Sequence, residues 1–376
     1  MNRETDLEAL LAEAADPAAA QKIIELLHGR TQALQQASDE LRIELALLQR
    51  AGSVVGADAQ RLQTELRDLR SLASRAALDP DTFALLAADG VGVHLPMPAP
   101  MEQMLQLEPP SSGSLRDLQP LSITASTRLG SLLALTSGFH LHLFGGLGLP
   151  LSEDWRWPRA RRGPATLARG ERFETMCAID EFAPPKHVLV VTRSGWCRAL
   201  PWTVVENLAA GGAVFNPADR GDTPVWIGPC VDGDVLLVTR LGRYVRFPVA
   251  ALAAAGEHGV ALESDDDVAT AVVVPAGKAD TCAVHFIGVD GAHFAIAPQG
   301  LEANKRAGGK TRALTRNWLA QSCAVAERKD AVAIFAASGE VCISTLRSVP
   351  VAARPADVRP LNIVGQRLLG AVFFGA

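Results

Sequence analysis

The sequence predicts a mainly β protein: a propeller-like ring of six repeated units behind an N-terminal α-helical coiled-coil or helix-hairpin segment. Three observations carry that reading. Turn glycines recur at Gly90, Gly138, Gly195, Gly242, Gly291 and Gly339, in steps of 48, 57, 47, 49 and 48 residues. The best copies, VLVVTRSGWCRALP (188–201) and VLLVTRLGRYVRFP (235–248), share an apolar run, Thr-Arg, a turn glycine, a second short run and a proline. Ahead of the repeats, leucines return every seven residues.

Helix is predicted first, over residues 20–50. Leu27, Leu34, Leu41 and Leu48 form the stripe, Ile24 and Leu45 hold the companion position, and Val55, Leu62, Leu66 and Leu69 continue it. Such a repeat suits a supercoiled seam, because only supercoiling keeps those positions facing a partner. AGSVVG (51–56) interrupts the pattern with poor helix formers. A hairpin packed on itself or on the next domain, and one longer dimerising helix, both fit. Residues 1–76 are thus read as a helical segment, with residues 20–72 a surface for a homodimer or a partner subunit.

After Leu78-Asp79-Pro80 the texture becomes strand-like, and residues 77–376 are read as the six-repeat domain. Apolar runs are broken by Asp89-Gly90, Ser137-Gly138, Ser194-Gly195, Asp232-Gly233, Asp290-Gly291 and Ser338-Gly339. Each hairpin is a short loop with glycine where positive φ is cheap. A further apolar run follows each hairpin, as in VATAVVV (268–274), SCAVAE (322–327) and GAVFFGA (370–376). A unit of about four strands cannot bury both faces alone, and repetition around an axis solves this. The least typical copies, FALLAADGVGVHLP (83–96) and VAIFAASGEVCIS (332–344), mark where the ring should close.

Composition bounds the function. With 48% hydrophobic and 20% charged residues the chain should be a soluble folded protein. Net charge is −5, divided as −3 up to residue 76 and −2 beyond it, so nucleic-acid binding would need a local patch. The N-terminus lacks the apolar core of a signal peptide, and no uncharged apolar stretch reaches the length of a membrane span. Cys177, Cys197, Cys230, Cys282, Cys323 and Cys342 stand singly, with no Cys-x-x-Cys pair, and read as reduced core thiols of a cytoplasmic protein.

The Thr-Arg-x-Gly copies, VLVVTRSGWCRALPW and VLLVTRLGRYVRFPVAAL, each with arginine in the return run and a proline six residues after the glycine, resemble blades of the C-terminal β-pinwheel domain of DNA gyrase and topoisomerase IV A subunits. The resemblance covers roughly residues 80–376 and is strongest over 186–318. It implies a six-bladed β-pinwheel that exchanges strands between neighbouring blades and binds and bends duplex DNA on a positive rim. It also implies a companion breakage-reunion domain with a nucleophilic tyrosine. The single tyrosine here, Tyr244, lies inside the fourth hairpin, so strand cleavage is not expected of this chain. The family's wrapping box, Gln-Arg-Arg-Gly-Gly-Lys-Gly, has a degraded counterpart in Asn304-Lys305-Arg306-Ala307-Gly308-Gly309-Lys310, placed in the fifth copy.

Three basic groups are candidate nucleic-acid contacts. Arg193, Arg198, Arg240, Arg243 and Arg246 recur in two adjacent hairpins; on an outer rim they would form a ladder for successive phosphates. Pairing with carboxylates such as Asp222 or Asp234 is the structural alternative. Lys305, Arg306, Lys310 and Arg312 surround Gly308-Gly309, where the backbone can approach a phosphate closely or simply form a basic loop. Arg156, Arg159, Arg161 and Arg162 interleave with Trp155 and Trp157, suited to phosphates and bases, to an acidic protein, or to packing.

No catalytic constellation emerges. His140 and His142 lack a third ligand partner, Asp265-Asp266-Asp267 reads as a solvated turn, and Gly145-Gly146-Leu147-Gly148 opens no helix. No cofactor, metal or catalytic residue is expected. The function expected is non-catalytic binding of double-stranded DNA, with bending, compaction or an accessory role to a topoisomerase-like complex. It would place the protein in the cytoplasm, on the nucleoid. A protein-interaction scaffold that kept the pinwheel but lost wrapping is the alternative.

Overall fold

In the computed structural model the chain separates into two compact units, Met1–Pro80 and Asp81–Ala376. The structure describes residues 81–375 except 100, 110–114, 116–120, 128–129, 159–166, 181–183, 209, 214–220, 278–280, 316–317 and 363–366. The helical segment expected over 1–76, with its contact surface over 20–72, lies outside the described residues.

The second unit is a propeller-like ring of six β blades. Each begins with an antiparallel hairpin: Asp81–Ala87 with Gly92–Pro96, Ser131–Thr136 with His140–Gly145, His187–Thr192 with Trp196–Pro201, Gly233–Thr239 with Arg243–Pro248, Cys282–Gly288 with Ala292–Ile296, and Ala331–Ala336 with Glu340–Thr345. The apolar run that follows pairs antiparallel with the first hairpin strand as the inner strand of the blade. In blades 1 to 6 these inner strands are Leu121–Thr127, Phe173–Ile179, Pro224–Cys230, Val268–Pro275, Ala320–Glu327 and Leu368–Phe374. They touch one another in a closed circuit from blade 1 round to blade 6 and back. Together they line an axial cavity of about 640 Å³.

The outer strand of every blade is borrowed. Chain leaving the hairpin of one blade crosses to the preceding blade and pairs with its second hairpin strand. Ala210–Ala213, which follows hairpin 3, completes blade 2. Glu257–His258 completes blade 3, and Arg312–Ala313 completes blade 4. Blade 5 receives Val351–Ala352 in parallel. Blade 1 receives a single bridge, His94 to Leu151, reinforced by the buried His94 ring between Thr82 Oγ1 (2.7 Å) and Gly146 O (2.9 Å). Blade 6 takes Gln103–Gln106 from the segment after hairpin 1, in register from Glu340↔Gln106 to Ile343↔Gln103. That pairing closes the ring, between the two least typical copies.

Both faces of a blade are covered by its neighbours, which explains the unbroken apolar runs in the first hairpin strands. Val188 and Val190 face the cluster shared with blade 2, while Leu189 and Val191 face the cluster shared with blade 4. One principal apolar cluster fills each of the six blade boundaries. Each fully buried Leu or Val there contributes about 1.5–3 kcal/mol relative to exposure, so the blades stabilise one another mainly through their faces. None of the six cysteines forms a disulfide, and burial pushes the Cys177, Cys197 and Cys323 thiols up to about 12. No helix among the described residues is long and apolar enough to cross a membrane.

Candidate nucleic-acid interface

Two of the candidate arginines, Arg193 and Arg240, sit on hairpin turns, so the turn geometry decides where they point. All six turns share one backbone bond: the N–H of the fourth residue donates to the carbonyl of the first, at 2.9–3.1 Å, from Gly90 to Ala87 through Gly339 to Ala336. The fourth residue is left-handed, at φ 86, 84, 72, 83 and 95° for Gly90, Gly195, Gly242, Gly291 and Gly339. Blade 2 departs from the sequence reading. There the left-handed residue is Phe139 (φ 60°), not Gly138. Gly138 serves close approach instead, since a Cβ on it would lie 2.7 Å from Glu171 Oε1.

The next N–H along is capped in one of two ways. In blades 2, 3 and 4 the first turn residue is a buried threonine whose Oγ1 accepts from His140 N (3.0 Å), Trp196 N (3.1 Å) or Arg243 N (3.2 Å). A carboxylate two residues ahead of the inner strand then closes the turn. Asp222 accepts from Ser194 N (3.0 Å) and Ser194 Oγ (2.7 Å), and Asp266 accepts from Leu241 N (3.0 Å). Glu171 accepts from Thr136 Oγ1 and binds His140 Nδ1 at 2.5 Å. Burial opposes the charged form of Glu171, but bonds from Thr136, His140 and Ala168 N–H outweigh it and hold the carboxyl below its ordinary range. In blades 1, 5 and 6 the third turn residue does the capping, through Asp89 (3.1 Å), Asp290 (3.0 Å) and Ser338 (3.3 Å).

The second turn residue ties blades together. Arg240 N donates to Asp267 O, just ahead of its own inner strand, while Arg240 O accepts from Ala320 N, which starts the inner strand of blade 5. Arg193 does the same between Thr223 O and Val268 N. These turns therefore lie on one face of the ring beside the inner strands, and Arg193 lines the axial cavity. They are not rungs on the outer perimeter, because the turn backbone is held to the strands nearest the axis.

The arginines of the second hairpin strands are occupied. Arg246 is 16% exposed in its side chain; its guanidinium holds Asp234 at 2.8 Å, Leu301 O at 3.1 Å and Pro298 O. Arg243 binds Thr311 Oγ1 (2.6 Å), Thr311 O (3.3 Å) and Glu263 (3.1 Å). Arg198 is half-buried with partners inside the structure. Arg240 is exposed and pairs with Asp267 (2.9 Å) and Asp265 O (2.7 Å), so the aspartate triplet works as turn cap and counter-ion. Arg156 lies between Glu108 (3.2 Å) and Asp154 (3.1 Å), and its neighbour Trp157 is buried in the boundary between blades 6 and 1. Arg159, Arg161 and Arg162 lie outside the described residues.

The box-like segment is the crossover from hairpin 5 to the outer edge of blade 4. It leaves the 3-10 turn Pro298–Gly300 and ends in the outer strand Arg312–Ala313. Asn304 N donates to Arg246 O (2.6 Å) and Gly308 N to Gly259 O (3.0 Å). Gly309–Lys310 pairs in parallel with Val260–Ala261. Both glycines have local reasons. Gly308 is left-handed (φ 75°), and a Cβ on Gly309 would stand 2.1 Å from Asn304 Nδ2. Arg312 closes the base through Glu302 O (3.0 Å) and the Glu302 carboxylate (3.0 Å). Lys305, Arg306 and Lys310 are exposed, and none makes a side-chain ion pair or hydrogen bond with another described residue.

Among the described residues, no group of three or more His, Cys, Asp and Glu side chains is placed to hold a metal ion. His140 is engaged by Glu171, and His142 packs edge-on against Phe173 with ring centroids 5.6 Å apart.

Comparison with known proteins agrees with this architecture. No family model matches the sequence. A DNA gyrase A subunit from Dehalogenimonas lykanthroporepellens is 30% identical over 111 residues, spanning 27% of this chain but only 13% of that protein. Among solved structures, a DNA gyrase A C-terminal domain superposes with TM-score 0.61 at 12% identity, covering 78% of this chain and 99% of the domain. A DNA topoisomerase IV C-terminal domain gives TM-score 0.55 at 14% identity, covering 79% of this chain and 94% of the domain. The fold of residues 81–376 is that of these pinwheel domains.

Proposed function

We propose that the six-bladed ring binds double-stranded DNA without acting on it chemically, and that the crossover loop between blades 5 and 4 makes the principal contact. One observation carries this reading: Lys305, Arg306 and Lys310 stand exposed without partners among the described residues, on a backbone fixed at both ends and opened by two glycines. Unpaired cations on a fixed loop suit a phosphate backbone, since no internal ion pair has to be given up first. The solved domains with this fold are parts of a DNA gyrase and a DNA topoisomerase. Exposed pairs such as Arg240–Asp267 and Arg156–Glu108 are worth about 0–1 kcal/mol, so these arginines can turn to phosphate at small cost. Arg246 cannot. Binding would be indifferent to base sequence and steeply salt-dependent.

A second reading has its own support. The arginines of blade 4 are balanced by Asp234, Glu263 and Asp267, which suits a scaffold that binds another protein. Fluorescence anisotropy of the full chain with unrelated duplexes separates the two. Association at roughly 50 mM salt is expected, with a log–log salt slope of about −2.7 if three phosphates are neutralised. Replacing Lys305, Arg306 and Lys310 together by alanine should remove most of that slope. A folded chain that binds no duplex under those conditions would sink the DNA reading in favour of the scaffold.

A further inference from the structure

Arg246 and Arg243 lie on a return strand whose arginines were candidate surface phosphate contacts, yet their guanidinium groups point into the crossover loop. We infer that these two arginines are positioning residues: they hold the loop that carries Lys305, Arg306 and Lys310 at a fixed height on the rim, and act on DNA only through it. The inference rests on the proposed DNA reading and assigns the division of labour within it.

The geometry is specific. Arg246 bridges three chain segments: Asp234 on the first strand of its own hairpin, the carbonyls of Pro298 and Leu301 where the loop departs from blade 5, and, through its own carbonyl, Asn304 N at 2.6 Å. A lysine there would keep a charge for Asp234, but it lacks the fork that reaches the aspartate and two carbonyls at once. Arg243 clamps the far end, where Nε and Nη2 bind the hydroxyl and carbonyl of Thr311 while Nη2 also meets Glu263 at 3.1 Å. The departing and returning ends of the loop are thus held by two residues three apart on one strand, Arg243–Pro248. Between those clamps, Asn304 packs against Gly309, Ala307 packs on the apolar cluster between blades 3 and 4, and Gly308 bonds to Gly259, leaving Lys305 and Arg306 to project outward. At 16% side-chain exposure, Arg246 is itself too enclosed to meet a duplex.

The test is a double-mutant cycle on the full chain with a plain duplex, read by anisotropy across a salt series. Arg246→Met keeps the stem and removes the fork; it should weaken binding about as much as the Lys305→Ala, Arg306→Ala, Lys310→Ala triple change. Added to that triple change, it should cost nothing further, because the group it positions is gone. Arg246→Lys should recover only part of the loss. Arg243→Gln should behave like Arg246→Met to a lesser degree, and it serves if Arg246→Met fails to fold. Losses that add in full across the cycle would overturn the inference, since they would make the arginines contacts in their own right. Tryptic cleavage after Lys305 and Arg306, timed without DNA, is independent of the DNA reading. It should accelerate several-fold in Arg246→Met and Arg243→Gln, and an unchanged rate would overturn the positioning role. A wild-type chain that binds no duplex would sink the DNA reading while this cleavage comparison still decides whether the loop is positioned.

Discussion

Blades 2, 3 and 4 and blades 5, 6 and 1 build the same hairpin turn with different chemistry. In the first group a threonine and a carboxylate from the approach to the inner strand cap the turn, so it is tied to distant chain. In the second an aspartate or serine within the turn does the work locally. The buried histidines also divide unevenly. Among the described residues, His94, His285 and His293 all lie in blades 1 and 5. The backbone is therefore the invariant of the ring, and side-chain caps can be exchanged provided each N–H keeps an acceptor.

The largest expected effect probes the second group through its core. His285 and His293 are 1% and 0% exposed, bonded Nδ1 to Nε2 at 3.1 Å and packed against Phe373. Burial, with the neighbouring His293, pushes His285 down to about 3, and burial pushes His293 down to about 4. Both folded values lie below the ordinary imidazole range, so the stability they lend is full above about pH 6.5. It is lost as pH falls from there toward 4 and 3, at up to about 1.4 kcal/mol per pH unit for each ring. Thermal melts from pH 7 to pH 4 should show a steep fall, which His285→Leu with His293→Leu should flatten. An unchanged acid slope in that double variant would remove the pair from the account.

Turn caps come next. Thr239→Val keeps shape but leaves Arg243 N–H without its acceptor in a buried site, and should cost about 1–3 kcal/mol. Asp290→Ala opens a turn nearer solvent, where water can replace the carboxylate, and should cost about 0.5–1.5 kcal/mol. Denaturant titration of both would break the comparison if the order reversed. The smallest effect is a gain. Asp266 Oδ2 is buried without a partner among the described residues, whereas the equivalent Asp222 oxygen holds the hydroxyl of Ser194. Leu241 stands where Ser194 does, so Leu241→Ser should stabilise the ring by roughly 1 kcal/mol. A lowered melting temperature would contradict that equivalence.

Much of the ring was legible because the turns demand it. A left-handed residue recurs wherever a hairpin reverses, and glycine marks it in five blades. Blade 2 misled by one residue because its glycine answers to the Glu171 carboxylate, a neighbour in space that spacing does not reveal. The doubly buried first strands were visible as unbroken apolar runs. The exchanged outer strands were not visible in the residues themselves. Glu257–His258 and Arg312–Ala313 are too short for any period, and their pairing is settled by packing. The candidate interface was legible as charge but not as geometry. Two similar hairpin sequences placed Arg193, Arg240, Arg243 and Arg246 in one set, while radius and burial separate an axial arginine, a turn ion pair and two arginines bonded to the crossover loop. Asp222, Asp266 and Glu171 share a place two residues before an inner strand, a signal that exists only once those strands are known.

The segment Gln103–Gln106 leaves hairpin 1 to finish blade 6, and every other blade is finished in the same direction. An open stack of repeats can lengthen or shorten by one unit, because each repeat brings its own complete interface. A ring whose members each depend on the next cannot be recounted so freely. Excising one whole repeat would free the next crossover strand to complete the predecessor, but it would leave the circuit of inner strands one member short. Closure thus fixes the count of six in this chain, while the turns within it differ in their chemistry from blade to blade.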